Sequence, residues 1–306
     1  MRFAAGLLIV ASIAFADAVT PPFAVGALRR DGVIIPFAVF DGKRWSARWP
    51  APSIELDVPI NIRAVPSSWW GPIGAPEQWE AWSGGSPHPV SVMQLDWVDA
   101  HCVRQIGLKT SYHSNKPAPA PKEQPYPKDG IAVSSSQPVD PIDLLSSTSL
   151  EAQSFTAELR DAFNKAERLV ESRYGHPVAQ RSREGVDPLI EAVYAHGQEP
   201  RFYYVEATRT YRRLGQPADS CNGVAFGSGW FVREQGHVRS LTEAVDLLGC
   251  DRYGATYMFP FGVMHLKGKV FWIAQFSGWD HERFVIVEIQ KKNVEAVVNA
   301  WGGGCQ

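Results

Sequence analysis

Four stretches of this chain carry residue types that can do chemistry. Gly227-Ser228-Gly229 offers a hydroxyl nucleophile. A reactive serine needs a histidine to take its proton and a carboxylate to orient that histidine, so His265, Asp280 and His281 are its candidate partners in a hydrolase. A nucleophile elbow, however, spaces its glycines one residue from the serine and sits between a strand and a helix. Here the glycines abut the serine and the flanking pattern is strand to strand, so a glycine-dependent bend is the simpler account. Trp279-Asp280-His281-Glu282 joins an aromatic ring to acid and base groups in one turn. Consecutive side chains diverge, so this turn needs help from elsewhere to close on a metal or a substrate proton. His101-Cys102 has the parts of a thiol nucleophile, but neighbours on a strand face opposite ways.

The fourth feature is aromatic. Of eleven tryptophans, seven fall between Trp45 and Trp97, among them Trp69, Trp70, Trp79 and Trp82. Indoles bury large areas in cores, and they also stack on flat ligands such as sugar rings. No Walker loop, no glycine fingerprint after a strand, no His-Glu-x-x-His and no EF-hand loop occurs. The sequence therefore implies no cofactor and no metal, and points away from nucleotide enzymes and zincins. A net charge of −2 gives no reason to expect nucleic acid as a partner.

These residues must be positioned by a chain bound for export. Arg2 followed by the apolar run Ala4–Ala16 and the small residues Ala16-Asp17-Ala18 reads as a signal peptide over residues 1–18. The run is shorter than the roughly 20 residues that span a bilayer, and no longer one follows, so no integral membrane segment is expected after cleavage. Absence of any Asn-x-Ser/Thr site favours a bacterial periplasmic or secreted protein. In such a compartment the four cysteines read as disulfides, with Cys221–Cys250 favoured and Cys102–Cys305 the remaining pair.

The predicted fold class is α+β. Residues 19–115 read as a Trp-rich unit of short antiparallel strands, with two Asp-Gly turns around Val33–Phe40, strands at 61–65, 90–95 and 103–109, and an ordered loop over 66–89. Residues 116–128 hold five prolines and read as an extended linker. Residues 129–306 read as an antiparallel sheet with short strands at 131–133 and 142–145, a long amphipathic helix over about 149–174 and two short helices. Thr148 and Glu151 form a capping box for the long helix, Ser240 and Glu243 for a helix ending at Gly249, and Asn293 caps a last helix to Trp301. Between the short helices lies a meander of strands 256–266, 269–276 and 283–289.

Lacking a catalytic signature, the sequence predicts a non-catalytic, soluble, disulfide-bonded binding protein for a ligand or envelope component, a glycan among the candidates. Its candidate binding residues are Trp69, Trp70, Trp79, Trp82, Trp279, Asp280 and His281. A secreted hydrolase near Ser228, His265, Asp280 and His281 is the rival expectation.

Overall fold

The computed structural model describes residues 20–47, 61–65, 67–120, 123–176, 178–183, 185–212 and 221–305. The predicted signal peptide lies outside these residues, as does the side chain of Trp69. Among the described residues the chain is mostly β, with three sheets and one bent helix.

The first sheet curls into a barrel. Strands β1 (Phe23–Arg29), β2 (Val33–Phe40), β4 (Gln78–Ser83), β5 (Ser86–Ala100), β6 (Val103–Thr110) and β7 (Lys128–Val133) pair in the order β1-β7-β4-β5-β6-β2, and β2 returns to β1; the short β3 (Trp45–Ser46) extends from β2. Closure leaves no strand of the ring with an unpaired edge. Alternation along each strand sends Ala24, Leu28, Ile34, Trp79, Ala81, Leu95, Leu108 and Ala132 into the lumen, joined by Ile62 and Trp70 from the β3–β4 connection. Two local expectations change here. Residues 61–65 form a 3-10 turn over Ile62–Ala64, with Asn61 capping it, and no strand. Part of the expected 66–89 loop is the hairpin β4–β5. The Pro-rich stretch is tied down by Lys116 on buried Asp129 (3.2 Å), and the strand that follows it, β7, pairs with β1 and β4 to close the barrel.

The second sheet is β8 (Asp143–Leu145), β9 (Leu189–His196), β10 (Arg201–Tyr211), β11 (Gly223–Glu234) and β12 (His237–Leu248), in the spatial order β12-β11-β10-β9-β8. The third is the meander β13 (Tyr257–Leu266), β14 (Lys269–Ser277), β15 (His281–Ile289) and β16 (Val294–Gly304). The meander is buried on both faces. Phe271, Ile273, Phe284 and Ile286 pack on the barrel, whereas Trp272, Ala274, Val285 and Val287 pack on Phe202, Tyr204 and Trp230 of the second sheet. The other face of the second sheet carries α1 (Leu150–Gln153) and α2 (Thr156–Tyr174), through Phe155, Leu159 and Phe163. The layers thus run helix, sheet, sheet, barrel.

The helices need correction. The two short helices expected at 240–249 and 293–301 are strands β12 and β16. Ser240 lies opposite Phe231 and Glu243 opposite Gly229, because the Gln235-Gly236 turn, both residues at positive φ, folds β12 back along β11. Val294 likewise lies opposite Ile289 after a tight turn. Ser240–Glu243 and Asn293 match helix caps in spacing alone; strand pairing over the whole segment outweighs them. The bent helix exists, but Ser149 caps it by accepting from the Ala152 N–H (3.1 Å). Glu151 turns instead to the Tyr203 hydroxyl (2.6 Å) and to Arg201 and Arg233. Leu169 on this helix is half exposed, and Glu167 is buried with Arg183 and Arg209.

Both expected disulfides form, Cys102–Cys305 and Cys221–Cys250. No described helix is long and apolar enough to cross a membrane.

Candidate functional site

Both disulfides frame one end of the meander. On one side, Cys250 follows β12 and is tied to Cys221. The chain then turns tightly: Arg252 donates its N–H to the Gly249 carbonyl (3.1 Å) and sits at φ 59°, and Ala255 donates to the Arg252 carbonyl (2.9 Å). The Arg252 guanidinium holds this turn to Glu191 on β9 at 2.7 Å. The turn projects Tyr253, 57% exposed, against Trp279, 61% exposed, with ring centroids 4.9 Å apart and planes tilted by 32°.

On the other side lies the β14–β15 turn, closed by the Gly278 N–H on the His281 carbonyl (2.9 Å). Asp280 accepts from His281 Nδ1 at 2.7 Å, and this bond holds the Asp280 carboxyl below the usual range. The His281 ring lies parallel to Trp301, 6.2 Å between centroids, and Trp301 is itself 52% exposed with Arg283 over its ring. The Cys305 N–H donates to the Asp280 carbonyl (2.9 Å), and Cys305 is tied to Cys102. Gly304 is needed here, since a Cβ would lie 2.5 Å from Trp301 Cζ2. Gly302, Gly303 and Gly304 are residues of β16, the strand that stands where a helix to Trp301 was expected. Beneath His281, the buried Glu282 carboxylate receives Lys128 (2.7 Å) from β7 and Gln275 (3.2 Å). Burial pulls the Lys128 ammonium below its ordinary range, opposed by Glu282.

The resulting ring row is two pairs, Tyr253 with Trp279 and His281 with Trp301, joined through the turn that carries Trp279 and His281, beside the exposed Asp251 and the half-buried Asp280 carboxylates. Of the candidate binding residues, the structure brings Trp279, Asp280 and His281 together in it. Trp70 and Trp79 are core residues of the barrel and offer no face to a ligand; Trp79 Nε1 donates to the Pro76 carbonyl (2.9 Å). Trp82 is half-buried beside a cleft of about 270 Å³ shared with Phe259 and Phe261.

Ser228 takes no part in a triad. It lies on β11 opposite Glu206 and is hydrogen-bonded to Tyr204. Its flanking glycines have packing reasons: a Cβ on Gly227 would lie 2.4 Å from the Phe163 ring of α2. His265 and His281 sit at opposite ends of the meander, separated by the nine residues of β14, roughly 25 Å or more. The rival hydrolase constellation is therefore not assembled. Glu206 is 2% exposed, and burial raises its carboxyl to about 7 despite the Met258 N–H it accepts (2.6 Å).

His265 instead meets residues not singled out in the sequence. Its Nε2 is 3.3 Å from His196 Nε2 and 3.2 Å from Asp140 Oδ2. His196 is the last residue of β9, and Asp140 pairs by a two-way backbone bridge with Val263 on β13. Burial holds the His196 imidazole below its ordinary range. Both histidines line a cleft of about 620 Å³ floored by Phe202, Val270 and Ile289.

Tyr253 and Trp301 were missed for a traceable reason. Their exposure depends on two disulfides and a strand pairing that no local pattern announces. Comparison with protein-family models, curated proteins and solved structures finds no match for this chain.

Proposed function

We propose that this is an exported, non-catalytic binding protein whose recognition face is the row Tyr253, Trp279, His281 and Trp301, and whose ligand is an envelope glycan. The observation that carries it is the exposure of three large rings, each more than half open to solvent, on two turns and a strand end beside the two disulfides. Exposed rings held in place lose little conformational freedom on binding, which favours affinity. Aromatic faces suit the C–H face of a pyranose, and the Asp251 and Asp280 carboxylates beside them can accept from its hydroxyls. The flanking acids oppose an anionic lipid surface. A row suits an extended chain better than a terminal sugar, so a β-1,4-linked glycan is the fitting class.

The test is retention of the purified chain on peptidoglycan sacculi, with calorimetric titration of chitohexaose as the soluble probe. Trp279→Ala and Trp301→Ala should each lower affinity at least about tenfold, the size of an ordinary aromatic anchor. Retention that survives the double substitution, or no retention at all, contradicts the reading.

A further inference from the structure

We propose that Asp140, His196 and His265 form a site for one divalent transition ion of the zinc class, with the remaining coordination position open to the neighbouring cleft. This site lies at the end of the meander opposite the ring row and is independent of it.

The three ligand atoms lie at metal-binding distances. A tetrahedral ion with bonds of about 2.0–2.1 Å places its ligand atoms about 3.3 Å apart. His196 Nε2 and His265 Nε2 are 3.3 Å apart, His265 Nε2 and Asp140 Oδ2 are 3.2 Å apart, and all three ligand atoms lie within 4.8 Å of one another. A small motion of the exposed Asp140 side chain closes the third edge.

The His196 ring is also oriented for a metal. His196 Nδ1 lies 3.2 Å from the Pro141 carbonyl, which can only accept, so the ring proton belongs on Nδ1. The Nε2 lone pair is then aimed at the gap between His265 and Asp140. Backbone carbonyls hold metal-binding imidazoles in this way, fixing tautomer and ring direction together. The Asp140–Val263 bridge likewise sets the carboxylate beside a strand position two residues before His265. Three separate segments thus converge, which is why no linear motif marks the site.

The donor set decides the class of ion. Two imidazoles and one carboxylate suit zinc, cobalt, nickel or copper, and are too soft and too few for calcium or magnesium. Three protein ligands leave a fourth position for water or a donor atom of a cleft ligand, as in open zinc sites. The competing arrangement needs no metal: His265 Nε2–H shared between Asp140 and His196 Nε2 satisfies the same distances.

Titration of the metal-stripped full chain with Zn2+ by calorimetry separates the two. One equivalent should bind, with affinity lowered by about 100-fold in His196→Ala and by about tenfold or more in Asp140→Asn. His113→Ala, an exposed histidine elsewhere, should bind as the parent does. The His196 ring lies edge-on to buried Trp272, 6.4 Å between centroids, so Co2+ should quench indole emission in the parent and not in His196→Ala. In the intact chain Zn2+ should also shift the imidazole nitrogen resonances of His196 and His265, a readout that needs no variant. Absence of Zn2+ binding, or binding undiminished in the His196→Ala/His265→Ala chain, overturns the proposal in favour of the hydrogen-bonded pair.

Discussion

The tryptophans of the barrel and the rings at the disulfide-framed end of the meander are the same chemistry put to opposite uses. Trp70 and Trp79 point into a closed ring of six strands and are sealed there by neighbours from every strand. Trp279 stands on the β14–β15 turn and Trp301 near the end of β16, at the open end of a sheet whose two faces are already covered, so their rings have no core left to enter. Aromatic density along the sequence therefore marks filling in the first region. In the second, four scattered residues make a surface. The difference teaches that a closed barrel uses tryptophan for volume, while beside the two disulfides at the meander's end the rings stay outside the core.

The sharpest way to break this contrast is to truncate one ring from each region. Trp79→Ala should cost about 3–5 kcal/mol in urea unfolding, the range for losing a buried large aromatic, and leave glycan affinity unchanged. A cost below about 1 kcal/mol would mean that the lumen is not the packed core described.

The ties can be tested next. Cys221→Ser/Cys250→Ser opens a loop of sequence separation 29 and should cost about 3–4 kcal/mol in the chain-entropy model. If the disulfide also presents Tyr253, glycan affinity should fall with it, although neither cysteine is in the ring row. Unchanged affinity would detach the frame from the face.

Under the Tyr253 turn lies Glu206, whose carboxylate accepts the Met258 N–H at the start of β13. With a folded value of about 7 against an ordinary 4.5, the folded chain holds the proton more tightly than the unfolded one. Stability must then fall as pH rises from about 4.5 to 7, and the penalty is complete above 7, up to about 3 kcal/mol. Glu206→Gln should therefore stabilise the protein at pH 8 and leave it little changed at pH 4, as read by urea midpoints. An equal effect at both values would contradict the burial argument.

The smallest expected effect is the most specific to the contrast. Trp279→Ala should change stability by less than about 0.5 kcal/mol, as for an exposed residue, while lowering at least about tenfold the affinity that Trp79→Ala spares.

Much of the fold was legible where local pattern and pairing agree. The three strands expected at 256–289 and a helix over about 149–174 followed from alternation and periodicity, and four cysteines in a chain read as exported pointed to disulfides, with Cys221–Cys250 the favoured pair. The failures came where a helix cap and a strand share residues. Ser240 and Glu243 have capping spacing, yet Gln235-Gly236 five residues earlier commits the segment to a hairpin. The barrel was hidden because its closing strand, β7, follows a Pro-rich stretch that locally reads as a boundary. Of the candidate site, Trp279, Asp280 and His281 were visible as a cluster in one turn. Tyr253, Trp301, His196 and Asp140 were not, since each gains its meaning from a residue far away in the chain.

The central claim is that the meander's outer rings, not the barrel's inner ones, meet the ligand. Resonances of the eleven indole N–H groups, assigned and followed while chitohexaose is added, test it directly. The account predicts that the Trp279 and Trp301 signals move and saturate together while those of Trp70 and Trp79 stay still. Movement confined to the barrel indoles, or none at saturating sugar, would contradict it.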